Sequence, residues 1–379
     1  MLDTALKVLN MIEDNSYEAY IVGGFVRDYI MGIKSNDVDI TTNAKPKELI
    51  KIFPNANLDN ALYGSITVYY NDIRFEITTY RRESNYDDNR HPDAINYVRD
   101  LKTDLKRRDF TVNTICMDKF GNIVDLLNCK DDINKKIIRT VIDPLKSFKL
   151  DSLRILRAIR FATTLNFELD SNVVEAIRQS KYLLENLSIN RKKEELDKIF
   201  SSSNMLKGIE LIKKFELEDV LNLKNINKVK ACSQVIGVWT LLGVDDIYPF
   251  TRNELQLMKS IRKVIDTDPL DKYNLYYYGL YVCSVAAEIK EISKDKIMDI
   301  YKDMPIHKRS DIVIDSYDIM ESLNISEGPI LSKIWEKLEK DIIDLKVIND
   351  EKELILDVKK IYTNLVLKKE EINETKASS

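Results

Sequence analysis

Two aspartates, Asp37 and Asp39, flank a single valine in the run DVDIT, and the run GGFVRD (Gly23–Asp28) ends nine residues before Asp37. Residues i and i+2 of a strand point to one face, so the two carboxylates converge while Val38 turns away. Adjacent anions repel unless a cation sits between them. Oxygen-only ligands suit Mg²⁺, which keeps waters and takes phosphate oxygens as further ligands. That arrangement serves in-line phosphoryl or nucleotidyl transfer. Gly23 and Gly24 follow an apolar run and precede a helix-like one, where backbone N–H groups can face an anion, and Arg27 lies one turn further on. Glu76, in the otherwise apolar or neutral run RFEITTYR, offers a third acid. Each feature alone has a plainer reading: a surface turn, a chain-geometry glycine, a solvated arginine, an edge-strand charge. Their order and spacing favour the chemistry.

The elements that position these residues are legible in outline. Residues 4–14 carry an apolar stripe at helical spacing (Ala5, Leu6, Leu9, Met11, Ile12), YEAYIVGG reads as a buried strand, FVRDYIMG as a helix stopping at Gly32, and DVDITTN as a strand. KPKELIKIFP is a helix bounded by prolines, and GSITVYYNDIRFEITTYR holds two strands joined at Asn71-Asp72. Between Arg81 and Arg99 the composition turns polar and aperiodic, which predicts a mobile loop. RRDFTVNTICMD reads as helix-like and GNIVDLL as a small strand pair; from Ser147 onward the pattern is almost wholly helical. The expected class is therefore α+β, a small mixed sheet of about the first 120 residues followed by an elongated helical body. Breaks near Ser201–Asn204, Asp266–Pro269 and Pro305–Ser310 mark candidate boundaries.

At 379 residues the chain supports several packed units without disulfides. Cys116, Cys129, Cys232 and Cys283 show no C-x-x-C spacing and only His91 and His307 are present, which argues against a thiolate or imidazole metal cage. No apolar run reaches the roughly 18 residues of a membrane span, so no membrane association and a cytoplasmic location are expected. Net charge is −4, yet Lys and Arg are dense between Lys146 and Lys214 and again at Lys224–Lys230, either as one positive face or as solvated helix surfaces. Disorder is expected only in the terminal KKEEINETKASS.

Five runs in order, GGFVRD (Gly23–Asp28), DVD (Asp37–Asp39), RRDFTVN (Arg107–Asn113), DSLRILRAIRF (Asp151–Phe161) and NRKKEEL (Asn190–Leu196), resemble the motifs of class II tRNA nucleotidyltransferases. That family comprises bacterial-type CCA-adding enzymes and bacterial poly(A) polymerases. The likeness spans about residues 19–200 and beyond residue 225 is one of general helical character. It implies a polymerase β-like head over 1–140, a helical neck with a nucleotide-selecting helix over 141–200, a body over 201–268 and a tRNA-binding tail over 269–379. It further implies that Asp37 and Asp39 hold catalytic Mg²⁺ with Glu76 as third carboxylate, and that Gly23, Gly24 and Arg27 face the triphosphate. Arg108 and Asp109 would contact the nucleotide's phosphate and ribose, with Asn113 in support.

Asp151 and Arg154 are three residues apart, so on one helix face they present an acceptor beside several donors. Such a pair suits the Watson–Crick edges of cytosine and adenine, and the family likeness assigns it that role, with Arg157 among the nucleotide-binding residues. Taken alone, the pair is equally a surface ion pair. Leu150 stands where the family motif has glutamate, and Asn190-Arg191 where it has Glu-Arg, with an Arg191–Glu195 helix pair as the simplest account. The implied reaction is attack of a tRNA 3′-OH on the α-phosphate of CTP or ATP. The mixed-charge C-terminus favours CCA addition over poly(A) synthesis, and the stretch with Arg81 and His91-Pro92 resembles the loop that CC-only enzymes lack. A-only addition and a non-catalytic RNA-binding protein stay open as alternatives, as do monomer and homodimer. No His-Asp dipeptide occurs, so the phosphohydrolase activity that some relatives carry is expected to be absent.

Overall fold

The computed structural model describes residues 1–35, 37–84 and 94–377. His91 and Pro92 lie outside them. The chain divides into two compact units, Met1–Asn227 with Asp246–Pro249, and Lys228–Asp245 with Phe250–Ser379.

The first unit opens with helix α1 (Leu2–Glu13), which buries Ala5, Val8, Leu9 and Ile12, one stripe at helical spacing. Strand β1 (Ala19–Val22), the short helix α2 (Gly24–Ile30), strand β2 (Val38–Thr42) and helix α3 (Pro46–Ile52) follow. Strands β3 (Ser65–Tyr70) and β4 (Ile73–Thr79) pair antiparallel, and both residues of their two-residue turn take positive φ, 49° at Asn71 and 59° at Asp72. That left-handed pair matches the strand twist and is tolerated by Asn and Asp.

The polar stretch after Arg81 departs from the expected irregular loop, because its described ends, β5 (Arg81–Ser84) and β6 (Ala94–Tyr97), form an antiparallel ladder. Helix α4 (Leu101–Lys106) comes next. RRDFTVN is not a helix as its pattern predicts; only Thr111–Asn113 makes a 3₁₀ turn, before strands β7 (Cys116–Met117) and β8 (Ile123–Val124). The sheet order is β3-β4-β2-β1-β7-β8, with β2 and β4 parallel and the other neighbours antiparallel.

Helix α5 (Lys130–Asn134) and strand β9 (Ile137–Ile138) lead to α6 (Pro144–Leu150), α7 (Leu153–Thr164), strand β10 (Glu168–Leu169), α8 (Ser171–Ser180), α9 (Ile189–Phe200) and α10 (Met205–Lys214). The pairing of β9 with β10 is a strand contact the helical pattern beyond Ser147 does not reveal. Helices α7, α9 and α10 pack closely enough that a methyl group on Gly208 would sit 2.4 Å from Ile199 Cγ2.

The second unit is all helical among the described residues, with Trp239, Met258, Ile261, Leu275 and Val282 in its core. Its helix Arg252–Asp266 starts with a capping box between Thr251 and Glu254. The last helix is assigned over Glu351–Ala377, through the stretch where composition predicts disorder; that stretch lacks glycine and proline. Among the described residues no helix is long and apolar enough to cross a membrane.

Candidate active site

The carboxylates gather at one end of the parallel pair β2 and β4. Asp39 is in register with Glu76 on β4 and with Val22 on β1, the residue before the glycine turn. Asp37 is exposed and immediately precedes β2, while Asp39 and Glu76 are half-buried. Glu76 accepts a hydrogen bond from Ser65 Oγ at 3.0 Å and lies 3.7 Å from Arg74 Nη2. Burial pushes the Asp39 carboxyl up to about 6, and the charges of Asp37 and Glu76 add to the effect against Arg108 and Arg74. Among the described residues no group of three or more His, Cys, Asp or Glu side chains is arranged to cage a metal. A hard divalent cation fits this donor set: it would relieve the excess negative charge around Asp39 and complete its shell with water and phosphate oxygens.

Gly23 borders these carboxylates. Its φ of +83° favours glycine, and a Cβ there would lie 3.8 Å from Arg108 Nη1 and 3.9 Å from Asp39 Oδ2. Helix α2 has only seven residues, and two guanidiniums, Arg108 and Arg27, border its glycine turn. The Arg108 guanidinium sits 3.5 Å from Asp104 Oδ2, and its buried Nε has no hydrogen-bond partner. Its Nη1, on the side of the glycine turn, is the guanidinium nitrogen suited to a phosphate oxygen.

Arg27, whose Nη2 lies 3.6 Å from where a Cβ on Gly24 would sit, is held in place by neighbouring side chains. It donates to Asp28 Oδ1 at 2.9 and 2.7 Å and to Asn113 Oδ1 at 2.8 Å. Asn113 Nδ2 donates to Asp109 Oδ1 at 3.3 Å, and Asp109 Oδ2 accepts from Arg157 Nε at 2.7 Å and from Arg157 Nη2. Asp109 also accepts from the Phe110 N–H at 2.8 Å. A chain of polar contacts thus runs from α2 through the RRDFTVN turn to α7. Burial opposes ionisation of Asp109, but Arg157 and Arg154 hold its carboxyl far below the usual range.

Asp151 is not on the same helix as Arg154. It caps the end of α6 in an extended conformation, and α7 begins at Leu153. The kink still places them together, since Asp151 Oδ1 accepts from the Leu153 N–H at 3.1 Å and the Arg154 N–H donates to the Asp151 carbonyl at 3.1 Å. Arg154 is buried and donates to Ser147 Oγ and to the Arg107 carbonyl, both at 2.8 Å. With leucine at 150, these two acceptors brace it. The expected Arg191–Glu195 pair is absent: Arg191 lies 3.9 Å from Asp151, and buried Glu195 pairs with Arg160 Nε at 2.7 Å. The reason is orientation, because Glu195 faces α7 while Arg191 faces the α6–α7 joint. Burial raises the Asp151 carboxyl, against Arg191 and Arg154.

Sequence reasoning gave no role to Asp104, Arg160 or Phe161, and it paired Glu195 with Arg191 instead of with Arg160. The Phe161 ring has the Arg160, Arg157 and Arg27 guanidiniums 4.0, 5.5 and 5.7 Å from its centroid, and Phe110 edge-on at 5.6 Å. Its signal was one aromatic within an arginine-rich helix. Asp104 carried none, reading as one acid in a polar helix.

Residues 19–139 match the Poly A polymerase head domain, 166–225 the Probable RNA and SrmB- binding site of polymerase A, and 250–358 the tRNA nucleotidyltransferase domain 2 putative. The CCA-adding enzyme of Lactococcus lactis subsp. cremoris (strain MG1363) is 32% identical over 385 residues, covering 94% of this chain and 96% of that protein. This chain belongs to the CCA-adding enzyme family. The Staphylococcus aureus (strain Newman) CCA-adding enzyme is 32% identical over 388 residues, with 94% and 97% covered. In fold the nucleotidyltransferase resembles the Bacillus stearothermophilus CCA-adding enzyme in complex with CTP, at TM-score 0.84 and 24% identity over 97% of this chain and 99% of that one. The Thermotoga maritima CCA-adding enzyme complexed with tRNA matches at TM-score 0.68 and 21% identity, covering 96% and 95%.

Proposed function

We propose that this nucleotidyltransferase adds CCA to the 3′ end of tRNA from CTP and ATP, without a nucleic-acid template and with release of pyrophosphate. The observation that carries the reading is full-length kinship with CCA-adding enzymes combined with an intact Asp37/Asp39 pair. A module that only binds anionic RNA gains nothing from a carboxylate as crowded as Asp39.

In this reading Asp37 and Asp39 hold Mg²⁺, which when bound neutralises the triphosphate and the charge developing at the reacting α-phosphate. Arg108 and the Gly23 turn receive phosphate oxygens. Glu76, anchored by Ser65, adds negative potential beside Asp39. Asp151 accepts from the exocyclic amine of cytosine or adenine, and Arg154 donates to the adjacent ring nitrogen or carbonyl. Uracil and guanine present an acceptor where the amine is required. Asp109, Asn113, Arg27 and Arg157 act as the frame that fixes Arg154 and Arg108, rather than as direct ligands. Basic side chains between Lys146 and Lys214 follow the tRNA backbone by charge and shape, and tRNA as substrate places the activity in the cytoplasm.

The test is purified protein with Mg²⁺ and a tRNA transcript ending before CCA, with products resolved to one nucleotide. Growth by two with CTP alone and by three with CTP plus ATP is expected. A long A tail, addition of A only to a CC-ended tRNA, or no transfer would overturn the reading.

A further inference from the structure

Asp104 lies outside the five motifs, yet it is fully buried and its carboxylate gathers four partners from three segments of the first unit. Oδ2 accepts from Thr41 Oγ1 at 3.2 Å, two residues along β2 from Asp39. Oδ1 accepts from the Arg81 N–H at 3.1 Å, where β4 passes into the β5–β6 hairpin. Oδ1 also accepts from Arg107 Nε at 2.8 Å, and Oδ2 lies 3.5 Å from Arg108 Nη2. The Arg107 carbonyl in turn accepts from Arg154 Nη2.

We infer that Asp104 is a positioning residue for nucleotide binding, holding Arg108 toward the phosphates and, through Arg107, Arg154 toward the base. One buried carboxylate thereby links the strand of the catalytic aspartates, the hairpin root, the phosphate-facing arginine and the base-facing arginine. The fixed acceptor geometry toward Thr41 and the Arg81 N–H orients the carboxylate as well, so its direction is set and not merely its charge. Burial works against ionisation of Asp104, while Arg107 and Arg108 keep its carboxyl below the ordinary range.

The inference rests on the CCA-adding reading and is tested in the full chain with Asp104→Asn and Thr41→Val. Asp104→Asn keeps the shape and removes the charge. Its KM for both CTP and ATP is expected to rise about tenfold or more with kcat within about threefold, and UTP misincorporation relative to CTP to rise about fivefold. Thr41→Val keeps the charge and frees its orientation, with KM rising about two- to threefold and the melting temperature falling by a few degrees. A folded Asp104→Asn protein with wild-type KM and selectivity, or with kcat alone reduced, would overturn the inference. Should that variant fail to fold, unaltered KM and selectivity in Thr41→Val would do the same. Wild-type protein in the same assay tests the functional reading separately. If it transfers nothing, calorimetric titration of CTP into wild type and both variants still decides whether Asp104 governs nucleotide affinity.

Discussion

The carboxylate edge of the sheet and the arginine frame of α7 lie in one unit and are built on opposite electrostatic plans. Around Asp39 negative charge exceeds positive and the carboxyl is pushed up to about 6. Around Arg154, Arg157 and Arg160 each guanidinium has a protein partner: Ser147 and the Arg107 carbonyl, Asp109, and Glu195. In the proposed reading the first region takes a cation, whereas each arginine of the second already has a protein partner. Transfer needs a charge supplied from outside; base choice needs donors and acceptors that do not move.

Removing one member of each region separates the two plans. Asp39→Ala is expected to lower transfer by about 10³-fold or more while tRNA binding, read by filter retention, stays near wild type. Breaking the frame costs stability instead: Asp109→Asn leaves the half-buried Arg157 beside a neutral amide, and urea melts should show a loss of about 2–3 kcal/mol. Asp109→Asn with Arg157→Met recovers part of that loss.

The pH responses have opposite sign. A carboxyl whose pKa is higher in the folded than in the unfolded chain takes up a proton on folding, so the charged form of Asp39 disfavours the metal-free fold. That cost is absent below about pH 4 and complete above about 6. Asp39→Asn is therefore expected to stabilise the metal-free protein at pH 7.5 by about 1–3 kcal/mol, with no gain at pH 4, and Mg²⁺ affinity of the wild type should fall as pH drops through about 6. Asp109, held low, gives stability that is fully present above about pH 4 and lost only in stronger acid. A smaller effect sharpens the frame's role: Gly208→Ala, forced against Ile199, should cost about 1–3 kcal/mol in urea melts with nucleotide selectivity unchanged.

Much of the carboxylate edge was legible because it rests on local pattern. Short strand-like runs marked β2, β3 and β4, the Asn71-Asp72 turn joined the hairpin, and Asp37-Val38-Asp39 fell where the strand begins. The frame was legible only in part. Its residues were found as motif members, but their partners are set by long-range packing: Arg157 meets Asp109 across 48 positions and Arg154 meets the Arg107 carbonyl across 47. Spacing within one helix could not reveal that Asp151 precedes α7, or that Glu195 answers Arg160 rather than Arg191. Asp104 was invisible because burial, not sequence context, gives a lone acid its partners.

The central claim is that fixed protein groups choose the base. Asp151→Asn tests it most directly, since the amide can donate to the uracil carbonyl where the carboxylate cannot. In single-turnover addition to a tRNA lacking CCA, the variant is expected to lower the CTP-over-UTP preference by about tenfold or more while transfer still depends on Asp39. An unchanged CTP-over-UTP preference in a folded, active Asp151→Asn protein would contradict it.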